Sequence, residues 1–332
     1  MSSRKYFQVL IPITLITGIS LLLSGCGTSG KSTLVGKSEA PKPVYVIKID
    51  DTVAAHPQIG INQADVVYIE QVEGGLTRLA AVFSSQLPPE IGPVRSARIS
   101  DIDLLAQYGK VAFLYSGAQT KFRPVLKQAN LIDLSAEHES PKLYPRKSGR
   151  IAPVDMIVNT EELTRITRER NLDIAVAKNM GWNFGALNKS AKPIVSASIK
   201  WPAARYQANW NSKGWALSQN GAPEFDADGK VVAPANFVVQ QVVITNSEYH
   251  DKVGGVTPFS ATVGNGTGWV LRDGFAIHGT WSRPDQSSGT KWIDDEGKEI
   301  KFALGKVWIA LTDQIPAFVE PEPAATPTKK SK

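Results

Sequence analysis

Three arginines, Arg78, Arg95 and Arg98, stand among four acids, Asp65, Glu70, Glu73 and Asp101, between Gly60 and Asp103. A guanidinium is a planar fork of N–H donors that matches the paired oxygens of a phosphate or carboxylate. Three of them beside Ser96 would make an anion receptor, and Glu70 or Glu73 is the candidate general base if burial raises its pKa. The same residue types also suit a structural network in which the arginines pair with Glu70, Glu73 and Asp101, since ion-pair networks imitate sites. Residue types alone leave both readings open. A polar segment from Ser135 to Arg150 carries Arg146, Lys147 and Arg150, cations that could close over a bound anion.

Other chemistry has little support. No Gly-x-Ser-x-Gly elbow and no His-Glu-x-x-His pair occurs, and the four histidines, His56, His138, His250 and His278, lack ligand spacing. No metal and no cofactor is expected. Gly25 to Ser32 matches a phosphate-loop pattern, but no strand precedes it and no helix follows, so it is a decoy. Asp226-Ala227-Asp228-Gly229 opens like a calcium loop without the glutamate at its twelfth position, and reads as a turn.

Residues 1–25 read as a leader, with Arg4 and Lys5 ahead of an apolar run that ends Leu23-Ser24-Gly25-Cys26. Small residues before a cysteine form a lipobox, which predicts cleavage and acylation at Cys26. The competing reading is a membrane-spanning helix, since the run nears the length a bilayer needs. Cys26 is the only cysteine, so no intrachain disulfide exists. Residues 26–43 are expected to be a flexible tether on the extracytoplasmic face of a bacterial cell membrane. The net charge of +6, two of it on Arg4 and Lys5, is too small and dispersed for nucleic acid.

The elements that must position the arginines follow from apolar spacing. Val66–Ile69 and Leu79–Phe83 are short apolar runs separated by Gly74-Gly75, which reads as two strands and a tight turn. A helix is predicted from Ala97 to Tyr108, with Ser96 as its cap and Arg95 and Arg98 three apart on one face. Residues 44–190 are expected to form a mixed α/β domain. Residues 195–313 are expected to form a mainly antiparallel β domain with hairpin turns at Arg272-Asp273-Gly274 and Asp295-Glu296-Gly297, an α+β chain overall. All eight tryptophans lie from Trp182 onward. They suit either a small β core or an aromatic platform for sugar rings. Residues 316–332, rich in proline and lysine, read as a disordered tail.

The runs Gln63–Tyr68, Glu73–Arg78 and Gly92–Arg98, echoed by Gly279–Arg283 and Gly305–Ile309, resemble the YerB-like lipoproteins. The resemblance spans about Val44 to Leu311 and implies an exported, lipid-anchored protein of two dissimilar domains; it implies no particular reaction. The function expected from all of this is a membrane-anchored binding module for an anionic or glycan envelope ligand, or for an envelope protein. A hydrolase or transferase acting on an envelope polymer and a structural assembly factor are the alternatives.

Overall fold

The computed structural model describes residues 34–37 and 39–322. The leader, Cys26 and the end of the tail lie outside the described residues.

Alternating apolar residues build the centre. Strands β1 (Tyr45–Asp50), β2 (Val66–Gln71) and β3 (Thr77–Phe83) lie side by side, with β3 between the other two and antiparallel to both. Helix α1 (Ser100–Ala106) leads to β4 (Val111–Leu114), which pairs parallel to β1, and α2 (Arg123–Gln128) leads to β5 (Leu131–Asp133), parallel to β4. The third α-helix among the described residues is α3 (Thr160–Glu169), capped by the Asn159 side chain.

The second half adds β6 (Ser196–Trp201), β7 (Ala204–Trp210), β8 (Trp215–Gln219) and the short β9 (Ala222–Pro223) as an antiparallel sheet. Strand β10 (Asn236–Gln241) enters the central sheet, and β11 (Ile244–His250) and β12 (Val256–Ser260) form a separate two-stranded hairpin. Strands β13 (Gly264–Arg272), β14 (Phe275–Arg283) and β15 (Lys291–Asp294) extend the central sheet antiparallel from β10. Strand β16 (Val307–Thr312) then runs parallel to β10 on one side and to β2 on the other.

That last strand decides the architecture. It joins the two halves into one mixed sheet of eleven strands among the described residues, so the central sheet belongs to neither half alone. The second half is rich in strands as expected, but the expectation of a mixed α/β first half is corrected: strands dominate it too, and the helices are few and short. Residues 317–319, expected to lie in the tail, instead form β17 (Ala317–Val319), which pairs antiparallel with β6. The end of the expected tether is also engaged, with Leu34 and Val35 buried against the body.

Both faces of the central sheet are covered. Ile47, Ile49, Val67, Ile69, Leu79 and Phe83 point toward the sheet formed by β6 to β9, where Tyr206 and Trp215 pack. Val46, Val66, Tyr68, Ala80 and Val82 point the other way, toward α1 and Phe122. Each side chain of this kind stabilises the fold by about 1.5–3 kcal/mol through burial. Six tryptophans, Trp182, Trp201, Trp215, Trp281, Trp292 and Trp308, are buried in these layers, so their rings are core rather than a platform. Gly75 explains why a glycine pair links β2 to β3. Its φ is +73°, and a Cβ there would lie 2.5 Å from the Pro202 side chain.

Candidate functional site

Register places the charges. Within the central sheet Arg78 pairs across to Glu70 on β2 and to Asp50 on β1, so three charged side chains share the end of one face. Lys48, two residues before Asp50, lies on that face too. Lys48 is completely buried and takes Glu70: its Nζ donates to Glu70 Oε1 at 2.6 Å and to Asp101 Oδ1 at 2.7 Å. Burial, then the Asp101 carboxylate, push Glu70 above the usual range against the pull of Lys48.

This buried triad holds the segment that carries the other arginines. Asp101 Oδ2 accepts from the Arg98 backbone N–H at 2.6 Å, and the Lys48 carbonyl accepts from the Arg95 N–H at 2.8 Å. The helix therefore starts at Ser100 rather than Ala97, and Arg95, Ser96 and Arg98 project from a non-helical approach to α1. The expected shared helix face does not exist. The side chains nonetheless converge, because the segment bonds to β1 on one side and to Ser116 and Gly117 on the other.

Around them lies a cleft of about 590 Å³, lined by Arg78, Arg95, Ser96 and Arg98. The three arginines are not equivalent. Arg98 makes a two-pronged pair with Glu73, Nε to Oε1 at 2.6 Å and Nη2 to Oε2 at 2.7 Å. Arg95 Nε lies 2.7 Å from Asp50 Oδ2. Arg78 has no carboxylate partner among the described residues; its Nη1 donates to the Ser96 carbonyl at 3.2 Å. Burial, then the charges of Arg98 and Arg95, pull the Arg78 guanidinium down to about 9, which leaves it a cation at neutral pH. The charges of Glu73 and Asp50 offset this only in part, and an anion would complete the compensation.

Neither acid proposed as a base is presented as one. Glu70 lies outside the cleft, fully buried on Lys48. Glu73 lines the cleft, yet burial, which would raise it, is outweighed by the hydrogen bonds and charge of Arg98, which hold its carboxyl below the usual range. Such a carboxylate is a weak proton acceptor near neutrality.

The opposite wall comes from the hairpin β11–β12 and its turn, with Tyr249, His250, Lys252 and Thr257 facing the arginines. Thr257 donates its hydroxyl to Glu73 Oε1, and Ser100 Oγ accepts from the Ser260 N–H at 2.9 Å, so the hairpin is tied to the arginine wall. Sequence patterning missed this hairpin. Its signal was the Gly254-Gly255 turn between two β-branched segments, obscured because β11 is mostly exposed and lacks a clean apolar alternation. The cations expected to close over a ligand are committed elsewhere: Arg146 to Asp155, Lys147 to Glu90, and Arg150 to the carbonyls of Ala55 and Pro57. Of the histidines, only His250 reaches the cleft. His138 and His278 face Asp133 and Asp295.

A second polar cluster lies between the two large sheets. Asp51, the residue after β1, turns to the opposite side from Asp50. It accepts from Tyr206 Oη at 2.7 Å, from Thr77 Oγ1 at 2.5 Å and from Gln58 Nε2 at 3.3 Å. His56 Nε2 lies 2.9 Å from Glu224 Oε2 and 3.6 Å from Asp51 Oδ1. Burial pushes Asp51 up to about 7, more than its hydrogen-bond donors and His56 pull it down.

The comparisons with known proteins agree with this architecture. The N-terminal and C-terminal domains described as "Protein of unknown function (DUF3048)" match residues 29–173 and 196–309. The chain belongs to the DUF3048 family. Its arginine cleft combines both parts of the family pattern, since Arg78, Arg95 and Arg98 come from the first and Tyr249 and Thr257 from the second. Among DUF3048 relatives, the Bacillus subtilis (strain 168) protein named "Putative lipoprotein YerB" is 24% identical over 285 residues, 83% of this chain and 82% of that one. The crystal structure of the YerB protein from Bacillus subtilis superposes with a TM-score of 0.73 at 20% identity, covering 87% of this chain and 99% of that chain. Its likeness bears on the fold. No helix of the described residues is long and apolar enough to cross a membrane.

Proposed function

We propose that this protein is a lipoprotein anchored through Cys26 on the outer side of a bacterial cell membrane, and that its cleft binds an anionic ligand of the cell envelope. One observation carries the binding reading: Arg78, a cation without a carboxylate partner among the described residues, opens into a cleft between two further arginines. A purely structural network would pair each cation. Here Arg95 and Arg98 are paired and serve to hold the wall, while Arg78 is left for an incoming charge. The relationship to a protein named as a lipoprotein supports the anchor. Two or more acyl chains would hold the body firmly at a bilayer.

The test uses the full chain purified in detergent, titrated calorimetrically with inorganic phosphate and with anionic envelope polymers. Arg78→Ala is expected to abolish binding while leaving the unfolding midpoint close to wild type. Binding that survives Arg78→Ala unchanged would remove the cleft from consideration. For the anchor, Cys26→Ala is expected to stop lipid labelling, and continued labelling would refute it.

A further inference from the structure

The cleft is larger and chemically more mixed than a simple anion requires. A lone phosphate occupies a small part of about 590 Å³, a volume in the range of sites that enclose whole small molecules. Beyond the arginines, its lining has three neutral features. Gln119 Oε1 is buried without a hydrogen-bond partner among the described residues. A carbonyl oxygen in that position accepts only, so its complement is a hydroxyl or amide donor. Ser96 and Ser116 place two hydroxyl oxygens 3.3 Å apart, each able to donate or accept. On the hairpin wall the half-buried Tyr249 ring packs against Phe122 with centroids 5.3 Å apart, which fixes an aromatic surface opposite these polar groups.

We infer that the ligand is an anionic saccharide, a sugar carrying a phosphate or carboxylate, with its charge on Arg78, a hydroxyl on Gln119 Oε1 and a ring face on Tyr249. This rests on the anion-binding reading of the cleft. A sugar ring offers what the lining lacks: several hydroxyl donors at its rim and C–H faces that suit an aromatic surface. A simple inorganic anion would satisfy Arg78 and leave Gln119 unpartnered, forgoing the affinity that pairing this buried acceptor would add. The mobile sugar phosphate and the sugar phosphate within a polymer share this chemistry.

The experiment titrates the full chain in detergent with five probes: inorganic phosphate, a hexose 1-phosphate, a phosphodiester-linked oligosaccharide, the neutral hexose and an acidic tripeptide. The hexose 1-phosphate is expected to bind at least about tenfold tighter than phosphate, the energy of one or two well-made hydrogen bonds. The neutral hexose and the tripeptide are expected to bind more weakly than either. Gln119→Ala and Tyr249→Ala should each reduce the sugar phosphate's advantage while leaving phosphate binding intact. Tyr249→Leu, which keeps apolar area, serves if Tyr249→Ala does not fold. A phosphodiester-linked oligosaccharide binding tighter than the monomer would identify a polymer as the source; the reverse would identify the free sugar phosphate. Equal affinity for phosphate and hexose phosphate, a preference for the tripeptide, or variants that leave the advantage unchanged would overturn the saccharide assignment and leave the anion site standing. No binding of any probe would remove the anion reading itself.

Discussion

Asp50 and Asp51 are neighbours in the chain and end in opposite kinds of electrostatic environment. Asp50 lies behind the arginine wall of the cleft, in a cluster where each acid has a cation: Asp50 on Arg95, Glu73 on Arg98, Glu70 and Asp101 on Lys48. Four cations stand against four acids there, but Lys48 takes two of the acids, which leaves Arg78 without a direct carboxylate partner. Asp51 faces the space between the sheets, where two acids, Asp51 and Glu224, share one histidine and several neutral donors. The surplus there is negative. A cation left without a carboxylate at an open cleft can be met by a ligand, whereas a negative surplus in a closed interface can be relieved by taking up a proton. The first arrangement suits recognition and the second suits a pH-sensitive junction between layers.

The comparison can be broken most forcefully at Lys48. Lys48→Met removes the cation from two buried carboxylates, and the expected loss is about 3–5 kcal/mol of stability, read from urea unfolding. A loss too small to measure would mean that Glu70 and Asp101 do not depend on Lys48. The junction makes the opposite demand on pH. Asp51 is raised from 3.8 to about 7 in the folded protein, so the folded state holds this proton more tightly than the unfolded chain. Its contribution is therefore greatest near pH 4 and declines as pH rises to about 7. His56 is raised from 6.5: burial would lower it, but Glu224 and Asp51 outweigh that, so its contribution is also lost as pH rises through the folded value. Asp51→Asn is expected to gain stability relative to wild type between pH 4 and pH 7. Parallel stability curves for the two proteins would contradict the assignment.

Smaller changes sharpen the contrast. Tyr206→Phe deletes one donor to Asp51 and is expected to cost about 1 kcal/mol, with no effect on anion binding. A changed affinity would show that junction and cleft communicate through β1. Arg165→Ala on α3 touches only the acids Glu162 and Glu169 of its own helix and belongs to neither cluster. It is expected to leave both the unfolding midpoint and the affinity unchanged, which makes it the reference for the other variants.

Local patterning recovered the parts of the molecule where local physics is decisive. Val66–Ile69 and Leu79–Phe83 are strands because apolar, partly β-branched runs bounded by glycine have few other outcomes. The hairpin turn at Arg272-Asp273-Gly274 was legible for the same reason, with Asp273 and Gly274 both at positive φ. The arginines were legible as a group because Arg95 and Arg98 are close in the chain and Arg78 ends a nearby strand. What each arginine does was not legible. Asp50 as the partner of Arg95, and Lys48 as the cation that claims Glu70, depend on strand register, which becomes visible only when β1 is aligned against β3.

The sequence by itself determined the central strands with clean apolar runs and the charges available, because these depend on residues adjacent in the chain. Tertiary structure decided that β16 inserts between β2 and β10, that the hairpin from the second half forms the far wall of the cleft, and that Arg78 is the arginine of the cleft with no carboxylate partner among the described residues. Those outcomes arise from competition among groups far apart in sequence. Backbone hydrogen bonds, burial and charge pairing settle that competition only when the whole sheet has formed.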